Sequence, residues 1–381
     1  MIQQTISDYF EQNSQNFFSV VSISRMVKKI LDSLVEVETL SLTPSLEARF
    51  IPTPNAPSNY TLNFANPIFH PHDGHSAVVT TNDFIYFDVD GNEVVVIDNE
   101  SATCNEDFYW NDKADNHKFD ICDYSNIYPL FKGVDCVFHL AAEARIQPAI
   151  KNPIRSAQTN VVGTCNVLQA ARENGVERVI YSSTSSAYGL SNTPPLTEDM
   201  PNDCLNPYSV TKTCGEQLCD MYTKLFGLKT LTLRYFNVYG ERQPLKGQYA
   251  PVVGIFLRQV ESGEPMTIVG DGLQRRDFTH VSDAVEANIL AMNSEATNIW
   301  GQTFNIGTGK NYSVLELAKM IGVKYTHIPE RLGEARVTLA DINKARYLLD
   351  WKPKVELEDW INQYKFSKSP IGVKEWMINR G

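Results

Sequence analysis

The chain has 381 residues, 43% of them hydrophobic and 21% charged, enough for at least one large core and two lobes. A net charge of -11 argues against a nucleic-acid backbone as partner, although a few local arginines can still hold a diphosphate. No run approaches the roughly 18 apolar residues of a membrane span, and no basic flank with an apolar core marks a signal peptide. Seven cysteines, an odd number without a C-x-x-C pair, predict free thiols in a reducing cytoplasm and neither a metal site nor a disulfide framework.

In chain order, residues 1–90 stand apart. Phe17–Val37 has the composition of a helix; Pro52, Pro54 and Pro57 then break the pattern, and Leu62–Phe69 and Ala77–Val89 read as short strands. Gly74 is the one glycine in these residues, so there is no glycine-rich phosphate loop. From Gly91 an alternation begins. Strands are predicted at Glu93–Asp98, Asp135–Leu140, Arg178–Ser182 and Lys229–Arg234. Helices are predicted at Asn160–Asn174, with Val162, Cys165, Val167, Leu168 and Ala171 on one side, and at Tyr208–Phe226. Such alternation implies parallel β-α units with ligands at the carboxyl ends of the strands. After Asn237 the pattern loosens, as in a smaller lobe. The expected organisation is an atypical segment at 1–90, an incomplete NAD-binding Rossmann-like domain at 91–240, and a substrate lobe at 241–381 with some segments returning to the core.

Several residues suggest chemistry. Asp98 ends an apolar strand, where a carboxylate can accept both hydrogen bonds of an adenosine ribose and repel a 2′-phosphate; a turn-opening acid is the plainer alternative. Asp120 follows another short segment. His139 closes a strand without a second histidine at ligand spacing, which favours a structural or pocket-wall role over a metal. Six of the residues 182–188 carry hydroxyls at a strand end. Tyr208 and Lys212 follow Asn206-Pro207, a helix start, and share one helix face. A lysine cation there favours the phenolate and makes tyrosine a usable base. Asn237, Arg275, Arg276, Arg331 and Arg336 lie in loops suited to a diphosphate, each also explicable as an ordinary surface group. The acid in Arg275-Arg-Asp277 is expected to clamp the arginines.

Together these segments resemble the extended short-chain dehydrogenase/reductase family, in particular its nucleotide-sugar 4-epimerases acting on UDP-glucose and UDP-N-acetylglucosamine. The resemblance spans roughly residues 91–365 and includes Val94–Asn99, His139-Leu-Ala-Ala142, Asn160-Val-Val-Gly-Thr164, Ser182–Gly189, Tyr208-Ser-Val-Thr-Lys212, Arg276–Val281 and Phe304–Thr308. It implies NAD as cofactor, a UDP-sugar as substrate, and a homodimer through the helices at 160–174 and 208–226. It implies Tyr208 as acid/base, Lys212 as its charge partner and nicotinamide-ribose ligand, and Thr184 as the hydroxyl on the sugar O4. Asp98 and Asp120 then hold the adenosine; Asn237, Arg276 and Arg331 hold the uridine diphosphate. The implied reaction oxidises C4, lets the keto sugar turn over, and reduces it from the opposite face.

Two departures refine the resemblance. Residues 184–186 are Thr-Ser-Ser rather than the Thr-Asp-Glu of a 4,6-dehydratase, which favours epimerisation; a decarboxylase shares Tyr and Lys. Thr338 falls on the family's substrate-size gate if Arg331 is the phosphate ligand, and a small residue there leaves room for an acetamido group; a competing register uses Arg336. The expected fold class is α/β, a Rossmann-like parallel sheet missing its first β-α unit, which leaves an apolar face and a bare edge. Residues 1–90 are then a fusion to a truncated and inactive core or a replacement for the missing elements, or another chain completes the sheet.

Overall fold

The computed structural model describes residues 92–102, 110–246, 250–331 and 333–367, together with the backbone of four strands upstream. Two units divide after His70, not at residues 90/91. In the first, strands Val37–Leu42, Glu47–Pro52 and Thr61–Asn63 form an antiparallel sheet. The helix expected at Phe17–Val37 lies outside the described residues, save that Val37 opens a strand. Most of the strands expected at Leu62–Phe69 and Ala77–Val89 also lies outside them.

The second unit is built on a seven-stranded sheet. Its strands are β1 His75–Thr80, β2 Asn92–Ile97, β3 Asp115–His117, β4 Cys136–His139, β5 Arg178–Thr184, β6 Lys229–Tyr235 and β7 Thr303–Ile306. The spatial order is β7-β6-β5-β4-β1-β2-β3, and every pairing is parallel. This is the doubly wound order, with the chain reversing direction across β1 and β4.

The strand expected to be missing is therefore present. β1 pairs through its full length with β2 and with β4 on its other side, Val79 lying opposite both Val96 and Phe138. A six-residue Val-rich strand supplies the backbone donors and acceptors of the central position, so β2 and β4 have no bare edge between them. The link from β1 to β2, residues 81–91, lies outside the described residues. Its sequence still holds one glycine, Gly91, so the expected absence of a glycine-rich loop is a property of the sequence.

Period-two alternation sorts the strand side chains into two cores. Cys136, Phe138, Ile180, Leu231 and Leu233 face one layer, with Ala287, Ala291 and Trp351. Val137, Val179 and Tyr181 face the other, against Val167, Leu168, Ala171, Cys219 and Tyr222. The second layer includes helices α1, Thr164–Glu173, and α2, Pro207–Phe226. The helix expected from Asn160 begins instead as a wider π turn over Gln158–Gly163, which rotates Val162 away from the core, where it is 52% exposed.

The segment Asn160-Val-Val-Gly-Thr164 joins several elements. Asn160 accepts the Glu143 backbone N–H at 2.7 Å and donates to the Thr211 hydroxyl at 2.9 Å. Thr164 meets the His139 ring nitrogen at 2.8 Å. Gly163 packs on Ile121: a Cβ there would stand 2.6 Å from the isoleucine methyl. This tight approach explains the glycine without invoking unusual backbone angles.

Beyond β6 a smaller lobe forms a third core around Tyr239, Phe256, Ile268, Phe278, Leu317 and Trp360. Its sheets are two-stranded, among them Arg275–Asp277 against Asn311–Ser313. β7 then returns to the main sheet beside β6.

Candidate active site

A cavity of about 460 Å³ opens at the carboxyl ends of β4, β5 and β6 and is roofed by the smaller lobe. Tyr208, Lys212, Thr184, Asn237, Arg276, Arg331 and Thr338 all line it. One surface thus gathers seven of the residues singled out from sequence. Among the described residues no cluster has the makings of a metal site.

On the sheet side, α2 carries Tyr208 and Lys212. Its start is strongly specified: Asn206 accepts the Ser209 N–H at 2.9 Å, Ser209 completes a reciprocal cap, and Pro207 occupies the first turn. Such a cap contributes about 1 kcal/mol. Its larger effect is to place Tyr208 within the first turn, facing the cavity. Lys212, one turn on, is only 2% exposed. Burial pulls its ammonium down to about 7, opposed in part by the Glu216 carboxylate.

Thr184 ends β5. Its Oγ1 accepts the Ser186 N–H at 3.1 Å, so its own proton remains to be given to a ligand oxygen. Ser185 and Ser186 beside it also line the cavity. Below, Ser183 donates to Glu216 at 2.5 Å. Glu216 takes two hydrogen bonds from Arg234, at 2.8 and 2.6 Å, in a pair whose side chains are 8% and 5% exposed. This buried pair ties α2 to the ends of β5 and β6. Sequence reasoning missed it, since a glutamate and an arginine eighteen positions apart on different elements leave no local pattern. Ser182, likewise, bonds Tyr235, which takes a further bond from Asn288.

His139 is fully buried, does not line the cavity, and burial pushes it down to about 3. It remains neutral and serves as a packing group, the structural alternative expected from its isolation in sequence.

On the lobe side, Arg276 is held by Glu334 at 3.4 Å and donates to the Arg275 carbonyl at 3.0 Å. The expected clamp by Asp277 is corrected. That carboxylate accepts the Thr308, Gly309 and Ala340 backbone N–H groups, at 2.7, 3.0 and 3.1 Å, and organises the turn below the arginines. Arg275 points to Glu316 and Asn311. Of the two competing registers, Arg331 lines the cavity, whereas Arg336 is bound in fork geometry by Asp271 at 2.9 and 2.6 Å and does not. Thr338 is buried and accepts the Asp277 N–H at 3.3 Å. Two carboxylates line the cavity among the described residues, and both are engaged: Glu334 with Arg276, Glu241 with His280 and Trp360.

Asp98 and Asp120 do not line this cavity. They lie elsewhere on the same carboxyl edge, beyond β2 and β3. Asp98 is buried, its Oδ1 accepts the Glu100 N–H, and the intervening Asn99 donates to Asp120 at 2.9 Å.

The model of the NAD dependent epimerase/dehydratase family matches residues 83–307. The chain is 35% identical over 284 residues to a UDP-glucose 4-epimerase of Mycolicibacterium smegmatis, covering 71% of this chain and 89% of that one. It superposes on the UDP-glucose 4-epimerase of Thermotoga maritima, solved with UDP-glucose, with a TM-score of 0.71 and 32% identity, over 80% of this chain and all of that one. It also superposes on the UDP-N-acetylglucosamine 4-epimerase of Methanobrevibacter ruminantium, solved with UDP-N-acetylmuramic acid. There the TM-score is 0.69 and the identity 28%, over 81% of this chain and all of that one. With its doubly wound sheet and its tyrosine–lysine helix on a cavity at the strand ends, the chain belongs to the NAD dependent epimerase/dehydratase family, and its cofactor is NAD.

Proposed function

We propose that this chain interconverts the C4 epimers of a UDP-hexose, with preference for the 2-acetamido sugars UDP-N-acetylglucosamine and UDP-N-acetylgalactosamine. The observation that carries the reading is the cavity itself, lined both by Tyr208, Lys212 and Thr184 and by Asn237, Arg276 and Arg331. The arginines and Asn237 bind the uridine diphosphate and present the sugar to Thr184 and Tyr208. Thr184 donates its hydroxyl proton to O4. The Tyr208 oxygen takes the O4 proton and later returns it, with the Lys212 ammonium favouring the phenolate. Bound NAD would supply the hydride acceptor and donor for C4, the chemistry these side chains cannot provide. Asp98 and Asp120 suit the adenosine end of the cofactor, Asp98 as a buried acid at a strand end that excludes a 2′-phosphate.

Elimination of water needs a free acid and base near the sugar. The positions after Thr184 are serines, and both lining carboxylates are already engaged, which supports epimerisation over dehydration. The buried, small Thr338 on the cavity wall supports the acetamido preference. Exposed Val162, Val210 and Leu225, on the expected dimer helices, support a homodimer, testable by light scattering. Free thiols at all six described cysteines support a reducing, cytoplasmic setting. No described helix is long and apolar enough to cross a membrane.

The glycine-poor link at 81–91 favours a second reading, in which the sugar-nucleotide cavity is retained and the dinucleotide is held too weakly for turnover. One experiment separates the two. The purified protein is supplied with NAD and incubated with UDP-N-acetylglucosamine or UDP-glucose, and the products are resolved by chromatography. Epimers of the acetamido sugar in excess support the first reading. UDP-sugar binding without product or dinucleotide retention supports the second, and absence of both overturns the assignment.

A further inference from the structure

We propose that Tyr181 is a positioning residue for Lys212, its ring face keeping the buried ammonium charged and directed along the wall that carries Tyr208. The inference deepens the proposed epimerase chemistry and rests on that reading for its kinetic consequence, not for its structural one.

The geometry is specific. The Lys212 Nζ lies 4.2 Å from the centre of the Tyr181 ring, well inside the reach of a cation–π contact. The Tyr181 hydroxyl donates to the Lys212 backbone oxygen at 3.2 Å, so the ring is tied to the very residue whose side chain it faces. That hydroxyl sits in a notch opened by Gly215: a Cβ there would come within 2.1 Å of it. Beside the ring, on the neighbouring strand, stands His139, with centroids 5.5 Å apart, itself bonded to Thr164. Tyr181 is thus clamped from β4 and from both ends of one turn of α2, and it is fully buried.

A buried ammonium needs such support because it has lost its hydration. Of the other groups around it, the Glu216 carboxylate alone opposes that loss with a charge. His139, from β4, is neutral, and Glu216, on the same helix face, is bound to Arg234. Cys219 is a fully buried thiol that burial keeps protonated. Ser183 of β5 faces Glu216, and Tyr208 lies one turn away on α2. The ring is left to face the charge directly. Since burial has already drawn Lys212 close to neutrality, a small change in its surroundings alters its charge at working pH.

The test replaces position 181 by Phe, by pentafluorophenylalanine and by Leu. Lysine labelled with carbon-13 at Cε is titrated by NMR, the Lys212 resonance being assigned by its loss in Lys212→Met. Phe should leave the Lys212 midpoint near that of the native protein. Leu and the fluorinated ring should lower it by about one pH unit, with a roughly fivefold loss of kcat at neutral pH and little change in KM. The fluorinated ring keeps the shape and withdraws the electron density, so it decides the matter even where Leu fails to fold. Native-like titration of Lys212 beside the fluorinated ring would overturn the inference. Absence of epimerisation by the native protein would instead overturn the proposed function and leave the titration standing.

Discussion

The two walls of the cavity are built by different means. Thr184, Tyr208 and Lys212 stand on a seven-residue strand and a twenty-residue helix, fixed by a helix cap and a buried ion pair. Arg276 stands on a three-residue strand, and Arg331 is an exposed loop residue. The contrast matches the tasks proposed for each. Proton transfer requires a few groups held within a fraction of an ångström, which secondary structure provides. Binding a diphosphate tolerates looser placement, because charge acts over longer distances.

Four experiments would break or sharpen that contrast. The largest effect is expected on the sheet wall: Tyr208→Phe should lower kcat by about 10³-fold, with UDP-sugar affinity nearly unchanged by calorimetry. A retained rate would remove tyrosine from the chemistry. Next, Glu216→Gln leaves Arg234 buried without its counter-charge and should cost about 3 kcal/mol of stability, read by urea unfolding. Equal stability would show that the walls do not differ in rigidity for the reason given.

Arg276→Ala, on the lobe wall, should raise KM about 10–100-fold and alter kcat less. A fall in kcat at constant KM would reverse the division of labour. The smallest effect concerns pH. The folded state holds Lys212 at about 7 against 10.5 as its ordinary value. The unfolded chain therefore binds more protons between these values, and stability gained from this group rises as pH increases through that window. The cost of the buried charge is complete below about pH 7. Lys212→Met should then stabilise the protein by about 2 kcal/mol at pH 6, and the gain should shrink toward pH 10. A gain independent of pH would mean that packing, not charge, is responsible.

Much of this was legible in one dimension because it depends on local pattern. The helix start at Asn206-Pro207 and the spacing from Tyr208 to Lys212 are contained within a few residues, and the structure differs there by one position. The valine runs predicted β2, β4 and β5 within two residues. Less local features were lost. His75–Thr80 is short, its neighbours resemble strand as well, and only pairing with β2 and β4 reveals that it is the sheet's central strand. Asp277 looked like a partner for the adjacent arginines because proximity in sequence suggests contact. Along a strand, however, Arg276 points to the face opposite Asp277, Arg275 is taken by Asn311 and Glu316, and the carboxylate turned to the backbone of residues 308, 309 and 340.

The sequence by itself determined the alternation of strands and helices, the identity of the tyrosine–lysine pair and the lack of a glycine-rich turn. These are set by spacing and residue type, which no fold can change. The tertiary structure alone decided that β1 completes the sheet, that Arg331 rather than Arg336 faces the cavity, and that Tyr181 lies beneath Lys212. Each joins residues distant in sequence, and such meetings are set by sheet order and close packing rather than by local propensity.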